Sequence, residues 1–154
     1  VFGGSGDDGI NDPLPRMSRT DAQEWAVHWI GSMARTAEAE VDPETVRINF
    51  SDCVGRNDEM ADDGRFNLRY SVRADIAPER RAAAVRDIRD ALVEQGLEIE
   101  GYRSDPSLSP ANVVGARHPE DHQSVTAEDN GEDQLLLIVS TPCLLPPGVE
   151  QQQL

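Results

Sequence analysis

The chain has 154 residues, the usual size of one domain, and carries a formal net charge of −15 from 29 acidic side chains against 14 basic ones, all of them Arg. That excess argues against nucleic acid or anionic lipid as a general partner, because both reward basic surface and counterion release. The hydrophobic share of 38% is concentrated in the middle of the chain, and no apolar run reaches the roughly 18 residues of a membrane span, so no transmembrane segment is expected.

Residues 1–17 contain Gly3, Gly4, Gly6, Gly9, Pro13 and Pro15 among acidic residues, a composition that cannot repay its ordering entropy by burial, and they read as a flexible tether. Thr20 and Gln23 have capping-box spacing. Ala22, Trp25, Ala26, Trp29, Ile30, Met33 and Ala37 then recur at helical intervals, which predicts a helix to about Glu40. Asp42 and Pro43 read as its break. Val46, Ile48 and Phe50 alternate with polar residues as a strand ending near Cys53, and Phe66, Leu68, Tyr70 and Val72 alternate with Arg65, Asn67, Arg69, Ser71 and Arg73 as its hairpin partner.

Pro78 opens a second predicted helix with the buried stripe Ala84, Val85, Ile88, Ala91 and Leu92, stopped at Gly96. Leu97 and Ile99 start a third strand toward Tyr102, followed by a long irregular stretch to about Asp121. Asn130 and Gly131 then mark a hairpin turn between 124–129 and 134–141. Residues 149–154 read as a polar tail. The expectation is one α+β domain over 18–148, an antiparallel sheet of four or five strands with two helices packed on one face, in α-β-β-α-β-β order.

Cys53 and Cys143 form an even pair with neither member beside a His or in a CxxC motif. They follow two strands that this layout runs in the same direction, so both emerge at one end of the sheet and are predicted to form a disulfide. That bond places the chain in an oxidising, extracytoplasmic compartment, the cell envelope or the secreted fraction.

The Gly-rich start before a helix, the strand followed by the helix from Ala77 to Gly96, and the closing hairpin that runs through Ser140, Thr141, Pro142, Cys143 and Leu144 to Gly148 together resemble the small exported lipoproteins of unknown function of actinobacteria, including the LppA-like lipoproteins of mycobacteria. The similarity covers roughly residues 45 to 148. It implies a module tethered outside the membrane by a lipid anchor on a cysteine upstream of Val1, with a signal segment before it, and it implies no catalytic residues.

The candidate binding surface is the outward face of the first hairpin. Arg65, Arg69 and Arg73 line one side of a strand and Arg47 lies on its neighbour, concentrating positive charge in an acidic protein. Cross-strand pairing with Glu98 and Glu100 is the ordinary explanation, and binding of an anionic ligand or acidic partner is the functional one. His118 and His122 stand four apart as weak metal-ligand candidates, but Pro119 interrupts them and the zinc-protease pattern is not met. The acidic loop with Asp58, Glu59, Asp62, Asp63 and Gly64 lacks the alternating ligands of an EF-hand. His28 is explained by Glu24 one turn earlier, and Trp25 with Trp29 by the core.

No nucleophile elbow or phosphate-binding loop is present, so neither a catalytic residue nor a cofactor is assigned. The sequence therefore points to a non-catalytic envelope or secreted module that presents its open sheet face, or a loop beside the disulfide, to a protein or envelope component. The alternatives are an envelope-directed hydrolase using loop carboxylates and a weak metal carrier using His118 and His122.

Overall fold

The computed structural model describes residues 12–53, 59–131 and 133–154; residues 1–11 of the predicted tether and Asp58 of the acidic loop lie outside this set. The elements are α1 (Arg19–Ala37), β1 (Glu40–Asp52), β2 (Phe66–Asp75), a 3-10 turn (Pro78–Arg80) running into α2 (Arg81–Glu94), β3 (Glu98–Ser104), β4 (Asn112–Arg117), β5 (Ser124–Asp129) and β6 (Gln134–Ser140). The α+β class and the antiparallel sheet agree with the sequence reading. The strand count does not: the sheet has six strands in the order β1-β2-β6-β5-β4-β3, and the chain order is α-β-β-α-β-β-β-β.

The additional strand is β4, which lies in the stretch read as irregular. Asn112 to Arg117 shows no period-two alternation because Asn112 occupies an inward position with polar partners and Gly115 an outward one. Asn112 keeps its inward place because Asp129 on β5 accepts both its backbone N–H and its side-chain Nδ2, each at 2.9 Å. A buried polar pair thus replaces an apolar contact.

Three boundaries also move. α1 is capped by Ser18, whose hydroxyl accepts from the Asp21 N–H at 3.0 Å, and not by Thr20. It ends at Ala37, with Glu38 in a left-handed conformation. Asp42 and Pro43, read as a helix break, sit inside β1, where the register shifts between Asp42 and Arg47. An edge strand tolerates a proline at such a bulge because no ladder hydrogen bond is lost from the sheet interior.

Both helices pack on one face, α1 over β1, β2 and β6 and α2 over β3, β4 and β5. The core between the layers takes Ala22, Ala26, Ile30 and Met33 from α1, Val85, Ile88 and Leu92 from α2, and the inward residues of the central strands. Phe66, Leu68, Tyr70 and Val72 all point toward the helices, and each such side chain contributes about 1.5–3 kcal/mol by burial. The apolar run of β6 is divided by the pleat, with Leu135, Leu137 and Val139 buried and Leu136 and Ile138 half-buried on the other side.

β1 and β6 each pair antiparallel with β2 and are therefore parallel to each other. Cys53 and Cys143 leave them at the same end and are joined, with Cα atoms 6.1 Å apart. No helix among the described residues is long and apolar enough to cross a membrane.

The segment before α1 and the last residues meet at this pole of the sheet. The Met17 N–H donates to the Leu145 carbonyl at 3.1 Å and the Leu14 N–H to the Gln151 Oε1 at 2.9 Å. The residues read as a polar tail are thus pinned to the segment before α1.

Candidate functional site

The sheet face opposite the helices carries no covering element among the described residues, and the register fixes its composition. One row crosses the sheet as Asp42, Arg73, Leu136, Glu128, Val113 and Arg103; the next as Arg47, Ser71, Ile138, Thr126, Gly115 and Gly101; a third as Asn49, Arg69, Ser140, Ser124, Arg117 and Glu98. The centre is a half-buried apolar strip, Leu136, Ile138 and Val113, continued by Thr126 and the two glycines. Arginines stand on both sides of it.

The two sides differ electrostatically. On the β3–β4 side Arg117 lies 3.7 Å from Glu100, and Arg103 donates to the Pro110 carbonyl, so both cations have local partners. On the β1–β2 side Arg47, Arg69 and Arg73 are exposed; Arg47 donates to the Val46 carbonyl at 3.3 Å, and none of the three has an ion-pair partner among the described residues. The pairing with Glu98 and Glu100 expected from sequence is ruled out by strand order. β3 is four inter-strand steps from β2, roughly 19 Å at about 4.8 Å per step. Exposed cations with no ion-pair partner among the described residues, beside apolar surface in a chain of net charge −15, form the least ordinary patch of the described residues.

Arg65 does not belong to it. Alternation placed Arg65 with Arg69 and Arg73, but residue 65 precedes the first paired residue of β2 and its side chain is 3% exposed. Its guanidinium holds Asp63 at 2.7 Å, and its Nη2 also donates to the Gln152 carbonyl at 2.6 Å, while the Gln152 N–H donates to Asp63 at 2.9 Å. These hydrogen bonds from Arg65 hold the Asp63 carboxyl well below its usual range against the opposing effect of burial. Arg65 is a structural clamp on the chain's last turn. The spacing Asp63-Gly64-Arg65 was the sequence signal for it.

Comparison with protein-family models, with curated proteins and with solved structures finds no match to this chain. The site is therefore read from its own residues.

His118 and His122 flank the turn between β4 and β5. The His118 Nδ1 accepts from the backbone N–H groups of Glu120 at 3.2 Å and Asp121 at 3.0 Å, and the His122 N–H donates to the His118 carbonyl at 2.9 Å. That imidazole nitrogen is occupied in shaping the turn. No group of three or more His, Cys, Asp or Glu converges as metal ligands among the described residues. In the acidic loop the Asp63 carboxylate is held by Arg65 and the Gln152 N–H, and the Asp62 backbone N–H donates to the Gln152 Oε1. His28 is exposed and makes its ring contact with Trp29 rather than with Glu24. Trp25 and Trp29 are half-buried, edge to face at 6.4 Å.

Two further carboxylates, Asp105 in the loop after β3 and Asp129 at the end of β5, also have structural partners. Asp105 accepts from Ser107, and Asp129 is bound by Asn112 and lies 3.8 Å from Arg81. An acid–base pair needs one group free to exchange its proton with a substrate, and neither of these is so placed.

Proposed function

We propose that this protein is a non-catalytic binding module of the cell envelope or the secreted fraction, and that it binds an acidic partner protein through its open sheet face. The observation that carries this reading is the set of exposed arginines, Arg47, Arg69 and Arg73, with no ion-pair partner among the described residues, beside the half-buried strip of Leu136 and Ile138. Arginine next to apolar surface is the composition enriched in interface cores, because its planar donor fork pairs with carboxylates while its stem packs on aliphatic groups. The oxidising address rests on the disulfide and on the lipoprotein-like layout.

The overall negative charge does not prevent this. At physiological salt the Debye length is about 8 Å, so an approaching carboxylate responds to the local arginines and little to the acids on the far side of the sheet. Because three exposed cations supply the electrostatic part, binding is expected to weaken steeply with added salt.

The test uses an acidic peptide with alternating Glu and Leu as probe and calorimetric titration as readout. The wild-type chain should bind it saturably, and Arg69→Glu/Arg73→Glu should lose the binding by about tenfold or more without a change in fold, since both side chains are exposed. Equal affinity of the two proteins for the probe would refute the assignment of this face.

A further inference from the structure

We infer that the chain holds a second, separate site, a cavity beside the disulfide that takes a small protonated amine with an apolar body. The cavity has a volume of about 410 Å³ and lies where the segment before α1, the first turns of α1, the β4–β5 turn and the segment after β6 converge. Its walls are largely apolar, lined by Met17, Trp25, Pro142 and Leu144 among others. Glu120 and Asp121 stand at its mouth, both exposed. No basic side chain lines it.

The residue that marks it as a site is Gln123. It is 2% exposed, it lies in the cavity wall, and its Oε1 has no hydrogen-bond partner among the described residues. Leaving a buried amide oxygen unpaired is costly, and such an exception calls for a missing donor. Its backbone is already fixed, because the Gln123 carbonyl accepts the His118 N–H at 2.9 Å and β5 begins at the next residue. The same turn holds Glu120 and Asp121 through their N–H bonds to the His118 Nδ1, so the two carboxylates are presented by a preformed loop.

These features select one chemistry. Gln123 Oε1 requires an N–H or O–H donor on the ligand. Met17, Trp25, Pro142 and Leu144 require an apolar body, which disfavours a sugar with hydroxyls on every side. Carboxylates at the mouth with no cation in the lining repel an anion and attract an ammonium, which the indole of Trp25 also favours. An amine attached to a small apolar group meets all of these demands, with its N–H groups shared between Gln123 and the mouth carboxylates.

Three probes of nearly equal shape and different charge test this on the full chain: 2-phenylethylamine, 2-phenylethanol and phenylacetate, followed by tryptophan fluorescence and by amide chemical shifts. The amine should bind saturably and one to one, the alcohol about tenfold more weakly, and the acid more weakly still. Gln123→Leu should weaken amine binding by about tenfold or more while keeping or raising the melting temperature, since it removes an unpaired buried polar group. Glu120→Gln/Asp121→Asn, at exposed positions, should bring the amine down to the affinity of the alcohol, and this variant decides alone if Gln123→Leu does not fold. Phenylacetate binding as tightly as the amine, saturation by no probe below about 10 mM, or unchanged affinity in the double variant would overturn the inference.

Discussion

Removing the disulfide is the perturbation whose magnitude follows most directly from the topology. Cys53 lies just after the edge strand β1 and Cys143 just after the central strand β6, and 90 positions separate them along the chain. β1 is paired on one side only, so the bond closes a loop that contains α2 and the remaining five strands and ties the edge strand to the middle of the sheet. For a loop of that length the loss of unfolded-state entropy corresponds to about 4.6 kcal/mol at 25 °C. That is a large fraction of the roughly 5–15 kcal/mol that stabilises an ordinary domain. The double variant Cys53→Ala/Cys143→Ala should therefore melt roughly 9–18 °C below the wild type. In urea its midpoint should fall and its m-value rise, because the unfolded chain is released from the loop and exposes more surface. Calorimetry and urea titration, together with intact mass before and after alkylation, supply the readouts. A stability loss below about 1 kcal/mol, or two free thiols in the natively purified protein, would refute the reasoning.

The buried pair Asp63–Arg65, with each side chain 3% exposed, predicts that Asp63→Asn costs about 3–5 kcal/mol at neutral pH because it strands the Arg65 charge. Since the folded state holds the Asp63 carboxyl below its ordinary value of 3.8, this stability is complete above that value and declines as pH falls below it, when the unfolded chain protonates first. Urea titrations should show a constant difference between wild type and variant above about pH 5 that shrinks in acid. Along β2, Phe66→Ala should cost about 3–5 kcal/mol and Arg69→Ala within about 0.5 kcal/mol, as Phe66 is fully buried and Arg69 exposed; the reverse ranking would mean that the register is shifted by one residue.

Much of the fold was legible where one physical signal acted alone. The alternation of Phe66, Leu68, Tyr70 and Val72 placed β2 and its buried face, because a strand covered on one side only must alternate. Asn130-Gly131 placed the β5–β6 hairpin, with Gly131 at φ +79° as a tight turn requires. Gly96, at φ +91°, ends the second helical segment where expected. β4 was illegible because its inward Asn112 is satisfied by Asp129, 17 residues away, and by the Ser104 hydroxyl on β3, partners that no local pattern reveals.

The candidate face was legible in part. Arg47, Arg69 and Arg73 fall where alternation puts them, but their separation from Glu98 and Glu100 depends on strand order, which sequence does not encode locally. Arg65 was misplaced because the period-two rule was extended one residue beyond the paired region of β2. Leu136 and Ile138 belong to a uniformly apolar run, so only the observed sheet shows which of its residues face outward. The cavity at Gln123 was not legible at all, since its walls come from segments more than 100 residues apart in the chain, from Met17 to Leu144.

The central claim, that the open sheet face is the binding surface, is tested most directly by mapping the acidic peptide onto the protein with amide chemical shifts at two salt concentrations. Perturbations should be confined to β1, β2 and β6 around Arg47, Arg69, Ser71, Arg73 and Ile138, saturable at about 50 mM salt and much reduced at about 500 mM. Perturbations centred on the exposed sides of α1 and α2, or insensitive to salt, would contradict it.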